Sequence, residues 1–112
     1  MLISIGMRNI APSADDPLHD VYEVLIDPAA ARPLCLAQSI HGGHADRGGA
    51  VFLGLDELDA WAGDWRLHLR HADCAWAIAP IEAAQRGGDA QAVLAQLIAE
   101  ADARRPARTP QR

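Results

Sequence analysis

A chain of 112 residues, 50% hydrophobic and 22% charged, has the size and apolar content of one globular domain. That apolar fraction excludes wholesale disorder, and no apolar run approaches the ~18 residues that cross a bilayer. The formal net charge of −5 is uneven: residues 1–100 carry six arginines against fourteen acids, and residues 101–112 carry four arginines against Asp102 alone.

Residues 2–8 (LISIGMR) alternate as a first strand, with Ile3, Ile5 and Met7 on one face. The stretch APSADDPLHD is a loop by its prolines, aspartates and serine. Residues 21–26 (VYEVLI) are a second strand, rich in β-branched and aromatic side chains. The connection Asp27–Pro33 leads to a third strand at 34–40 (LCLAQSI), which pairs with the second as a hairpin. HGGHADRGG is a loop, and residues 50–55 (AVFLGL) are a fourth strand.

Asp56 is placed to cap a helix whose stripe is Leu58, Trp61, Ala62, Trp65, Leu69 and Ala72. Trp65–Leu69 also alternates with period two, which leaves a strand open there. Cys74, Trp76 and Ile78 alternate with alanines, the pattern of a fifth strand ending at Pro80. Residues 81–86 form one helical turn before Gly87 and Gly88. Asp89 caps a last helix with Val93, Leu94, Leu97, Ile98 and Ala101 facing the core, and Pro106 ends it.

Strands first and helices mainly later indicate an α+β domain over residues 1–103. The expected architecture is a mainly antiparallel sheet of four to five strands with two helices packed on one face. Residues 104–112 read as a basic, flexible tail. Regular βαβ alternation is missing, which argues against a dinucleotide-binding fold. The absence of lysine beside ten arginines looks like the codon bias of a GC-rich bacterial genome. MLISIGMRNI lacks the features of a secretory signal, and neither Cys35 nor Cys74 sits in a CxxC pair. A cytoplasmic location with reduced thiols is therefore expected.

Four of the five histidines fall in two copies of H-x-x-H-A-D, His41–Asp46 and His68–Asp73. Imidazoles three apart on a helix share a side, so His68 and His71 could ligate one ion with His41 and His44 from the loop. Asp46 or Asp73 would be a further ligand or would fix an imidazole tautomer. Zinc or another transition metal is the cofactor this reading implies, and a hydrolase is its active form. Flexible-loop glycines and surface histidines on a helix account for the same residues without a metal, and on that reading there is no cofactor.

The run His44-Ala45-Asp46-Arg47-Gly48-Gly49 is similar to part of the metal-binding loop of metallo-β-lactamase-fold hydrolases. That family's motif has one residue between its two histidines, against two between His41 and His44 here. A spacer before the paired glycines is also missing. The likeness ends at Gly49, and 112 residues are too few for the family's two-sheet αββα sandwich, so it implies no fold here.

No G-x-S-x-G elbow, phosphate-binding loop or G-x-G-x-x-G occurs in the sequence. An acidic body repels nucleic-acid phosphates and attracts basic proteins. The leading expectation is a small, acidic, non-enzymatic protein of inhibitor, immunity, anti-defence or adaptor type that binds a basic protein partner. Trp61 and Trp65, flanked by Asp59 and Asp64, are its candidate contact surface. Direct nucleic-acid or membrane binding is not expected. A homo-oligomeric small-molecule binder, with the tryptophans lining a pocket, is a third reading.

Overall fold

The computed structural model describes residues 1–10, 19–41 and 47–105. Strands β1 (Ile3–Ile10), β2 (His19–Ile26), β3 (Leu34–His41) and β4 (Arg47–Leu53) form one antiparallel sheet in the order β1-β2-β3-β4. A 3₁₀ turn, Leu55–Ala60, follows, then α1 (Trp65–His71), a second 3₁₀ turn (Ala75–Ala77), α2 (Ile78–Gln85) and α3 (Ala90–Arg104). This is the α+β architecture expected, with four strands. Among the described residues no helix is long and apolar enough to cross a membrane.

Alternation decides which side of the sheet is covered. In the β2–β3 hairpin, Val24 pairs with Leu36 and Ile26 with Leu34, and all four are buried. They meet Leu58, Trp65, Leu69, Ile81, Leu94 and Leu97 from the helical layer in one core. Val93, Leu94, Leu97 and Ala101 are the buried stripe of α3, as its spacing predicts. Asp89 caps α3 by accepting from the amides of Gln91 and Ala92.

β1 departs from simple alternation. A bulge between Ser4 and Gly6 inserts Ile5, so Gly6 rather than Ile5 pairs with Val24. Ile5 joins the core, and the phase change turns Met7 out to 59% exposure. Ile3, Ile5 and Met7 therefore do not share a face, contrary to the sequence pattern.

The long helix expected from Asp56 is broken in two. Glu57 reaches back to the Gly54 amide at 2.7 Å, which supports the short 3₁₀ turn. The chain then straightens at Trp61, whose ring lies so close to Gly63 that a Cβ there would approach it to 2.6 Å. Asp64 starts the helix afresh by accepting from the amides of Arg66 and Leu67. Residues 65–71 are helical, which settles their double periodicity.

The fifth strand is not formed; residues 75–77 are a 3₁₀ turn that runs into α2. Cys74, Ala77 and Ile81 are the buried residues here, a spacing of three and four rather than two. Alanines between larger residues suit either period. Pro80 lies in the first turn of α2, where its missing N–H costs no helical hydrogen bond. At the other end, α3 includes Arg104, and the Arg105 guanidinium donates to the Ser4 carbonyl at 2.9 Å. Residues 106–112 of the expected tail, with Pro106, lie outside the described residues.

Candidate functional site

α1 places its side chains by helical spacing: Trp65, His68, Leu69 and Ala72 turn inward and are buried. Trp65 is only 2% exposed, its indole N–H donates to Asp59 at 2.8 Å, and the Arg66 guanidinium lies over its ring. Arg66 also pairs with Glu82 at 2.7 Å and with Asp59 at 3.4 Å. The expected contact surface is thus dispersed. Trp65 belongs to the core because it continues the apolar stripe of α1, Asp59 is held by Trp65 and Arg66, and Asp64 is the cap of α1. Trp61 alone of the two tryptophans stays half-buried at the surface.

His68 and His71 both pack on Tyr22. His68 meets the phenol ring edge-on at 5.3 Å, and His71 stacks on it at 4.7 Å. Nε2 of His68 lies 3.2 Å from the Glu23 carbonyl and donates to it, which fixes the proton on that nitrogen. Burial lowers the His68 pKa below its ordinary 6.5, and the nearby His71 charge adds to this; backbone hydrogen bonds at Glu23 and Ala37 oppose it.

Unfolding releases the imidazole to protonate at its ordinary pKa. The stability that neutral His68 contributes is therefore full above about pH 6.5 and is lost as pH falls from there toward the lowered native value. Urea unfolding at pH 7.5 and 5.5 is expected to show a smaller acid loss in His68→Gln than in the parent.

Asp73 has a structural role in this geometry. At the end of α1 the Cys74 amide bonds to the Leu69 carbonyl and the Asp73 amide to that of Arg70. Asp73 supplies the left-handed residue, φ 60°, that this C-terminal motif requires. α2 ends in the same way on Gly87, φ 105°, with bonds from Gly88 to Ala83 and from Gly87 to Ala84. The second H-x-x-H-A-D copy is thus a buried histidine, a stacked histidine and a helix stop. Asp73→Gly is expected to raise stability by up to ~1 kcal/mol, because glycine adopts this conformation without steric cost; thermal melts measure it.

His44, Asp46 and the side chain of His41 lie outside the described residues, so the structure does not place the two histidine pairs together. Among the described residues no group of three or more His, Cys, Asp or Glu side chains is arranged to hold a metal. Cys74 is fully buried, and burial with the neighbouring Asp73 charge pushes its thiol up to about 12. It is a packing residue with no thiolate at neutral pH.

The side of the sheet away from the helices carries what sequence reasoning missed. Met7, Glu23 and Ala37 are direct neighbours across β1, β2 and β3, and Leu25, Cys35 and Phe52 form the next row. Cys35 is 2% exposed yet lies outside the main core. Burial and the Glu23 carboxylate push its thiol pKa up. Phe52 is 45% exposed. Among the described residues Glu23 is the one charged side chain that register assigns to this face. Period-two phasing of VYEVLI, with Val24 and Ile26 inward, was the signal that could have found it.

No family model matches this chain, and no curated protein or solved structure is detectably similar to it.

Proposed function

We propose that this chain is a non-enzymatic binding protein that engages a basic protein partner through the face of its sheet that no described helix covers. The observation that supports this is an apolar surface with one central carboxylate: Met7, Val21, Leu25 and Ala37 flank Glu23, and Phe52 lies beyond them. Four strands of about seven residues present roughly 400 Å². Ser4, Asn9 and Ser39 lie among the apolar side chains of this face, and its whole area suits a modest, reversible contact. A partner with an apolar patch around one lysine or arginine would complement it. The net charge of −5 would speed the encounter with a basic protein.

This surface takes over the role first expected of Trp61, Trp65, Asp59 and Asp64. Glu57 and Glu82 pair with Arg32 and Arg66, while Asp64 and Asp89 cap helices, so much of the acidity serves the fold. Affinity capture from the source cells at low ionic strength tests the reading. The tagged chain is expected to retain a basic protein that Phe52→Asp and Glu23→Lys both release, and that added salt weakens. Equal capture by the parent and by Phe52→Asp would contradict it.

A further inference from the structure

On the helical side of the sheet, a cleft of about 430 Å³ opens between β3, β4 and the start of the helical layer. Leu36 and Val51 form its apolar wall, and Trp61, His68 and Gln38 contribute its polar and aromatic groups. We infer that this cleft binds a small, uncharged heteroaromatic ring that carries a hydrogen-bond donor beside an acceptor.

Three observations define that ligand. First, the cleft has the volume and the mainly apolar lining, with a few convergent polar groups, of a small-molecule site. Among the described residues no carboxylate or arginine lines it, so there a charged ligand would be desolvated without compensation. Second, Trp61 is half-buried and meets the His68 ring edge-on at 6.2 Å, which offers an aromatic wall for a flat ligand. Third, Gln38 spends one amide hydrogen on the Tyr22 hydroxyl at 3.2 Å. Among the described residues its second N–H and its Oε1 make no other hydrogen bond, which leaves a donor and an acceptor on one amide for the edge of a heterocycle. The hydrogen bond to the Glu23 carbonyl holds the His68 ring in place.

Gly49 makes the site testable without disturbing the core. It pairs with Gln38 across β3 and β4, and among the described residues a Cβ built on it would meet nothing within 4 Å. A leucine there would enter the cleft while strand propensity rises.

The test is isothermal titration of adenine, and of indole as a ring without the paired edge, into the parent, Gly49→Leu, Trp61→Ala and Gln38→Met. Adenine is expected to bind the parent saturably, with Kd near or below ~1 mM. Gly49→Leu and Trp61→Ala are expected to weaken it at least tenfold, the former with an unchanged melting temperature. Gln38→Met is expected to weaken adenine about tenfold and leave indole unchanged. Absence of saturable binding to the parent, or undiminished binding to both Gly49→Leu and Trp61→Ala, would overturn the inference. Equal loss of adenine and indole in Gln38→Met would overturn the assigned edge chemistry.

Discussion

Trp65→Ala is expected to lower the free energy of unfolding by about 3–5 kcal/mol, the range for a large aromatic removed from a packed core. Trp65 is 2% exposed and shares the core with Leu58, Leu69 and Ile81, so few neighbours can collapse into the space left behind. Its indole N–H bond to Asp59 adds little, because the Asp59 side chain is 63% exposed and water replaces the lost donor. Trp65→Phe keeps most of the ring volume and is expected to cost clearly less. Small domains hold a total of only about 5–15 kcal/mol, so the alanine variant should be partly unfolded well below the parent's midpoint in urea. An unchanged midpoint would show that Trp65 is a surface residue after all.

Gly6→Ala is the second large effect, and it acts by crowding. A Cβ at position 6 would come within 2.5 Å of the Cys74 Cβ and 2.8 Å of the Ala72 carbonyl oxygen. Both atoms are fixed by the backbone turn that ends α1, so neither can move as a flexible side-chain tip could. The expected cost is about 1–3 kcal/mol, at the upper end or above because β1 must separate from the helical layer. Cys74→Ala should rescue little of it, since it relieves only the 3.1 Å approach to sulfur and leaves the closer contacts with Cβ and the Ala72 carbonyl. Cys74→Gly should recover part of the loss. A double-mutant cycle on chemical denaturation distinguishes the two. Close backbone approach between the bulged β1 and the α1–α2 turn is therefore the reason for glycine at this position.

The strands were readable because their inner and outer residues differ sharply in size and polarity. Val24, Ile26, Leu34 and Leu36 are all apolar, and the sequence alone places them on one side of a hairpin. The bulge at Ile5 was not readable, because ISIGM alternates acceptably in either phase and the decision rests on Cys74, distant in sequence. Between residues 56 and 85 alanine blurs the periodicity. The extended link at Trp61 and the helical course of residues 75–85 are set by tertiary packing of Trp61, Cys74, Ala77 and Ile81.

The residues of the two proposed sites were legible only in part. Trp61 and His68 stand out by residue type, but their type does not show that they meet each other beside Gln38 in one cleft. Gln38 was visible in principle, since it follows Leu34 and Leu36 in the inward phase of β3 where a third apolar residue would be ordinary. Glu23 was hidden among fourteen other acids, and only the register of β2 isolates it. Net charge could not locate an acidic surface, because helix caps and pairs with Arg32 and Arg66 consume several carboxylates.

Methionine oxidation reads directly the sheet face proposed to hold a protein partner. The chain has two methionines: Met7 lies on the face at 59% exposure, and Met1 lies at the amino end at 90%. Dilute peroxide should convert both to sulfoxides in the free protein at comparable rates. With the captured basic partner bound, Met7 is predicted to oxidise several-fold more slowly while Met1 is unchanged. Equal oxidation of Met7 with and without the partner would contradict the assignment of this face.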